Sequence, residues 1–285
     1  MITRIILIVA FAFAGGGCGG GSQAAEPGGG DASLEVVASF YPLAYAIERV
    51  GGTRVRVTNL TPPGAEPHDI ELSVRDVERV RAADLVVYLG SGFQPQLERA
   101  VGDGEGRALD LLAGLDLLPG GDPHVWLDPL RYTEIVDRLG RELGAETAAR
   151  ALTTRLRGLD GELEQGLAEC ERREIVTSHA AFGYLAERYG LVQIAITGIA
   201  PEAEPTARDL ERVVELVRDR GATTIFFETL VSPRLAETVA RETGANTAVL
   251  NPIEGLTEEE VERGEDYFSV MRANLAALRK GLGCR

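Results

Sequence analysis

Apolar positions along the chain fall into short β-rich runs separated by stretches of helical spacing, and the series occurs twice. The first set of runs is "LEVVASF" (34 to 40), "RVRVTNL" (54 to 60), "DLVVYLG" (84 to 90) and a weaker "ALDLL" (108 to 112). Between them the pattern predicts helices. "PLAYAIERVGG" is opened by Pro42 and stopped by Gly51, and "SVRDVERVRAAD" is capped by Ser73 with Asp76 three residues on. The second set is "EIVTSH" (174 to 179), "VQIAITGI" (192 to 199), "TTIFFETL" (223 to 230) and "NTAVLNP" (246 to 252). Its helices include one capped by Thr206 and stopped by Gly221, and one with Ser232 as cap, Pro233 in the first turn and Gly244 as stop. Such alternation implies parallel sheets covered by helices on both faces. From Ala145 to Cys170 runs a charged, Leu-spaced stretch without proline, enough for one helix of roughly 38 Å at 1.5 Å per residue. Gly158 and Gly161 are its weak points. The expected fold class is α/β: two similar lobes, each a parallel sheet flanked by helices, joined by one long rigid helix. The lobes are expected at 34 to 144 and 171 to 285, with the connecting helix at 145 to 170.

Length agrees, since 285 residues exceed most single cores and suit two units of roughly 100 to 150. The net charge of −15 sets nucleic acid and anionic membrane surfaces apart as partners, because their phosphates would repel it, and it attracts cations. At the start, "MITRIILIVAFAFAGGGC" has Arg4, an apolar run from Ile5 to Ala14, then small residues ending at Cys18. The run is shorter than the ~20 residues a membrane-spanning helix needs, so it reads as a secretion signal over 1 to 18. Small residues directly before a cysteine resemble a bacterial lipoprotein box, which would lipidate Cys18 and attach the chain to the membrane. Gly15 stands where Leu or a similar residue is usual, and soluble secretion with cleavage nearby is the alternative. Residues 19 to 33 are Gly-rich and too poor in apolar residues to pack, as expected of a flexible tether. Cys170 and Cys284 can form a disulfide in an oxidising compartment, or stay free; neither has a Cys or His neighbour at zinc-site spacing.

The chain has three histidines, and all fall in loops or at carboxyl ends of strands. His68 lies in "GAEPHDIELS", His124 in "GGDPHVWLDP", and His179 ends "EIVTSH". Those are the positions at which open parallel sheets bind ligands. Separations of 56 and 55 residues match no local metal motif, and each histidine taken singly also fits a hydrogen-bonded loop residue. Together, in an exported acidic protein, they point to coordination. Neutral imidazole suits Zn(II), and a carboxylate would complete a tetrahedron. Glu254 in "LNPIEGLT" is the candidate, though it also fits a surface acid ahead of the helix that Thr257 and Glu260 open as a capping box.

The motifs "GAEPHDIELS", "DPHVWLDP", "TSHAAFGYLAERYGL", "GIAPEAEPTARDL", "FFETLVSPRLAETVARETGA" and "LNPIEGLTEEE", with "GEDYFSVMRANLAAL" after them, resemble in matching order those of the zinc-binding solute-binding proteins of bacterial ABC importers, the ZnuA, AdcA and TroA-like family. The resemblance covers about Val36 to Leu278. It implies that His68, His124, His179 and Glu254 are the metal ligands and that Zn(II) is the transported ligand. It further implies an ABC permease in the membrane as partner, a monomer, and a location on the outer face of the cytoplasmic membrane or in the periplasm. Manganese-binding relatives commonly carry a carboxylate where this chain has His179, and nitrogen donors favour zinc. In place of the long His- and acid-rich loop of many zinc members stands only "LPGGD" (118 to 122).

The reading that follows is capture without catalysis, with zinc affinity falling as pH drops through ~6.5, where free imidazole protonates. The alternatives are a manganese or iron carrier of the same family, a zinc hydrolase with Glu66 or Glu228 as base, and a metal-dependent adhesin. Glu66, Asp128 and Glu228 are candidates to orient the ligand imidazoles, Asp128 alternatively as a helix cap. Phe40, Tyr41, Trp126 and Phe182 either wall the cleft or pack in the core.

Overall fold

A computed structural model describes residues 33–285 apart from 103–105 and 203. The expected secretion signal, Cys18 and the tether up to residue 32 lie outside the described residues. In the first half, strands β1 (Leu34–Ala38), β2 (Val55–Asn59), β3 (Leu85–Tyr88) and β4 (Ala108–Asp110) alternate with helices α1 (Tyr41–Gly51), α2 (Val74–Ala82), α3 (Pro95–Gly102) and α4 (Pro129–Glu142). The long helix α5 (Glu146–Leu167) follows. The second half contains β5 (Glu174–Thr177), α6 (Gly183–Tyr189), β6 (Val192–Ala195), α7 (Ala207–Arg220), β7 (Thr224–Phe227), α8 (Arg234–Thr243), β8 (Asn246–Val249), α9 (Glu258–Glu262) and α10 (Tyr267–Leu282).

Every strand pair is parallel, and the two sheets repeat one order: β2-β1-β3-β4 and β6-β5-β7-β8. In such an order the chain reverses its direction of winding between β1 and β3, and again between β5 and β7. A crevice opens at the carboxyl ends of those strands. Each strand is shorter than its apolar run: the run 174 to 179 ends as β5 at Thr177, and 223 to 230 ends as β7 at Phe227. The residues left over, His179 and Glu228 among them, leave the ladder to enter the crevice.

Side-chain alternation along the strands explains the layers. Val36, Ala38, Leu85, Val87, Ile175 and Phe226 face one large core, which also takes residues of α1, α4, α5, α6 and α10. Their neighbours Val37 and Val86 face a smaller cluster under α2 and α3. Val176 and Ile225 face another, under α7 and α8. The large core runs without a break from the first sheet to the second, and Ser33–Arg285 form one compact unit. Length alone suggests two cores; the inner faces of both sheets instead share one.

Helix α5 makes this possible by burying Leu152, Leu156, Leu159, Leu163 and Leu167 along one stripe. Gly140 lets α4 approach it closely, since a Cβ there would come within 2.6 Å of the Ala149 Cβ. Gly158 and Gly161, the expected weak points, face open space and leave the helix continuous. Beyond α5, Cys170 is disulfide-bonded to Cys284, which ties the end of the long helix to the residues after α10. The caps at Ser73, Thr206 and Thr257 form as the sequence predicts, each with its acidic partner. Helix α8 differs: Pro233 stands at the cap position with no side-chain bond, because Ser232 Oγ accepts from Arg234 Nε instead.

Candidate metal centre

Four side chains from four strand ends meet at the seam of the halves. His68 follows β2, His124 follows β4, His179 follows β5, and Glu254 follows β8. One potential ligand atom from each lies within 4.8 Å of all the others. The three Nε2 atoms converge on one carboxylate oxygen: Glu254 Oε1 is 3.1 Å from His68, 2.9 Å from His124 and 3.3 Å from His179. His124, His179 and Glu254 are buried, and the His68 side chain retains 6% exposure. Three neutral nitrogens and one hard anionic oxygen at such mutual distances form a donor set suited to a tetrahedral divalent ion. A cleft of about 670 Å³ along β8 and α10 lies apart from this cluster.

Two of the three imidazoles are held by an acid that sits nearby in the fold. Asp122 Oδ1 accepts from the His124 backbone N–H at 2.9 Å and lies 2.7 Å from its Nδ1. Glu228 Oε1 does the same for His179, at 3.2 Å and 2.7 Å. A proton on Nδ1 leaves Nε2 free to face the centre, an arrangement common among metal-bound histidines. Of the three expected orienting acids, only Glu228 reaches an imidazole ring. Glu66 Oε2 instead accepts the backbone N–H groups of His68 and Asp69, fixing the turn rather than the ring. Asp128 caps α4 through the N–H of Leu130, the alternative reading of Asp-Pro, and faces Arg188 of the second half at 3.7 Å. Asp122 escapes a reading of spacing because it lies two residues from its own histidine, close enough to pass for loop polarity.

The aromatic candidates are core residues first: Phe40, Trp126 and Phe182 are fully buried, whereas Tyr41 is only partly buried. Trp126 is also a wall of the site, with its ring 5.1 Å from that of His124. Phe93, unremarkable in sequence, stands edge-on 4.6 Å from His68. From the second half, Tyr184 accepts the Leu118 N–H and donates to the Asp122 carbonyl, pinning the loop that precedes His124. Helix α6 begins so close to this loop that a Cβ on Gly183 would come within 2.8 Å of Asp122 Oδ2.

Burial by itself would push His124 and His179 toward neutrality, but the neighbouring carboxylates outweigh it. His124 is raised by Asp122 and Glu254, and His179 is pushed up to about 10 by Glu228 and Glu254. Burial likewise opposes the charge on Glu254, yet the three imidazoles hold it well below the usual carboxylate range. For Glu66 the compensation falls short: burial and the nearby Glu254 charge push it up to about 8 against the N–H groups of His68 and Asp69. The carboxylates beside His124 and His179 thus favour the protonated form of each ring.

Fold and site together define a class: two-lobed α/β solute-binding proteins whose parallel-sheet lobes are joined by one long helix and meet at a buried cluster of donors. The chain belongs to the family described as zinc-uptake complex component A, periplasmic (ZnuA), whose model matches residues 36–281. It is 36% identical over 280 residues to the zinc-binding lipoprotein AdcA of Streptococcus pneumoniae, covering 88% of this chain and 56% of that protein. The chain thus spans little more than half the length of its AdcA relatives. With the high-affinity zinc uptake system protein ZnuA of Bacillus subtilis it shares 31% identity over 295 residues, covering 93% of this chain and 92% of the relative. Among solved structures, the Zn(II)-bound ZnuA-like domain of the same AdcA superposes with a TM-score of 0.76 at 37% identity, covering 88% of this chain and 99% of that one. The laminin-binding protein Lmb of Streptococcus agalactiae, described as bifunctional with adhesin and metal-transporting activity, gives 0.81 at 31% identity, covering 88% and 100%.

Proposed function

We propose that the protein captures Zn(II) outside the cytoplasm and delivers it to an ABC permease, with His68, His124, His179 and Glu254 as the ligands. The observation that carries this reading is the convergence of three Nε2 atoms on one buried carboxylate oxygen. Four protein ligands fill a tetrahedron and leave no position for an activated water, so the site suits capture and not hydrolysis. Of the bases a hydrolase would need, Glu228 is occupied by His179. Donors that are three parts nitrogen favour zinc over manganese. Anchoring through a lipidated Cys18 is part of the proposal, as is action as a monomer; no helix of the described residues is long and apolar enough to cross a membrane.

Elemental analysis of the purified protein, followed by zinc–manganese competition, tests the proposal. The expected result is about one zinc per chain that manganese does not displace. His179→Ala should lower zinc affinity by more than ~100-fold, beyond the loss usual for a residue that only supports a ligand. Uptake of neither metal would end the reading, and preference for manganese would reassign the cargo. The likeness to Lmb supports a second reading, adhesion. It requires binding to an extracellular protein that zinc removal abolishes.

A further inference from the structure

Glu254 enters the site from a turn that its sequence does not favour. Ile253 has φ 58°, in the left-handed region where a β-branched residue is an outlier. Strained backbone of this kind persists only where its surroundings over-determine it, and here the surroundings are specific. Asn251 Oδ1 accepts the Ile253 N–H at 2.7 Å, closing the turn from the side-chain side. Asn251 Nδ2 donates to Thr229 Oγ1 at 3.1 Å and to Glu260 Oε1 at 3.2 Å. The backbone of Asn251 is locked as well, its N–H donating to Asn274 Oδ1 and its carbonyl accepting from Asn274 Nδ2. Asn251 and Asn274 are all but inaccessible, so these bonds form away from competing water. Glu260 belongs to α9 and Asn274 to α10, and the Trp126 indole N–H from the first half donates to the Pro252 carbonyl. The turn from 251 to 254 is therefore clamped on three sides, while the Ile253 side chain packs in the shared core.

We infer that Asn251 is a positioning residue for metal capture: by holding Ile253 in the left-handed conformation it aims the Glu254 carboxylate at the three imidazoles. The inference rests on Glu254 being a ligand. Without the Asn251 oxygen the Ile253 peptide relaxes toward negative φ, and Glu254 swings away from the Nε2 atoms. The site is then left with three nitrogens and a fourth position open to water.

A double-mutant cycle on the full chain tests this, with zinc affinity and the visible absorption of the Co(II)-loaded protein as readouts. Asn251→Ala should weaken zinc binding by about 10 to 100-fold, the range found when a supporting partner of a metal ligand is removed. It should also shift the Co(II) spectrum away from that of a four-ligand tetrahedral site. Asn251→Ser retains a short oxygen acceptor for the same turn and should recover much of both. In a Glu254→Ala background Asn251→Ala should add nothing. An unchanged affinity and spectrum for Asn251→Ala would overturn the inference, and so would a loss that persists undiminished beside Glu254→Ala. If Glu254→Ala itself leaves affinity intact, the ligand assignment fails first and takes the inference with it. Where Asn251→Ala does not fold, Asn274→Ala, which loosens Asn251 but spares its oxygen, is read in the same cycle.

Discussion

A carboxylate shielded from water needs counter-charge or donors around it, and Glu254 finds three imidazoles facing a single oxygen. Those imidazoles face it because Asp122 and Glu228 hold the opposite ring nitrogens of two of them. Glu228→Ala leaves His179 free to rotate or change tautomer and should lower zinc affinity by about 10 to 100-fold, measured by competition with a zinc chelator. An unchanged affinity would mean that packing alone orients the ring. The same acids reshape the pH dependence. A protonated imidazole cannot bind metal, and His179 is raised to about 10 with His124 also raised. Zinc bound at this site is therefore expected to displace protons even at neutral pH. Affinity should fall as pH falls, beginning well above the ~6.5 of free imidazole that sequence alone suggests. Calorimetry at pH 7.5 in buffers of different ionisation enthalpy should show proton release on binding; none would show that the histidines are already neutral. At this scale the four residues that meet at the seam were legible, because histidine is scarce and each falls beyond a strand. The supports were not. Asp122 and Phe93 are ordinary loop residues in sequence, and nothing local distinguishes Asn251 from any asparagine before proline.

Elements follow the sequence closely wherever a local rule decides them. Caps at Ser73, Thr206 and Thr257 sit where hydroxyl and acid are three residues apart, and Gly221 and Gly244 end their helices in the left-handed conformation. Strand ends follow less well. The runs continue past the last ladder bond into residues that leave the sheet at the crevice, His179 and Glu228 among them, which are buried there without strand pairing. The pairing of Cys170 with Cys284 could not be read from spacing either, as it depends on how α5 and α10 end side by side. The bond closes a separation of 114 residues, which in the chain-entropy account is worth about 4 to 5 kcal/mol. Replacing both cysteines by serine should lower unfolding stability by an amount of that order in denaturant titration while leaving zinc affinity unchanged. A fall in affinity of the same variant would show that the ends of α5 and α10 act on the site.

At the scale of the molecule, the repeated sheet order places two crevices face to face, and the shared core decides how far they can part. Wide opening would have to split a continuous apolar cluster. It would also break the bonds from Tyr184 to the His124 loop, from Trp126 to Pro252, and from Tyr267 to the Trp126 carbonyl. The proposed metal capture would therefore proceed by small adjustment of a built seam. Of the four proposed ligands, His68, on the loop between β2 and α2, retains the most contact with solvent. The most direct measurement is anomalous diffraction at the zinc edge from crystals of the zinc-loaded protein. The account predicts one strong peak, bonded to Nε2 of His68, His124 and His179 and to a carboxylate oxygen of Glu254. A peak elsewhere, or zinc held at the seam by other groups, would contradict it.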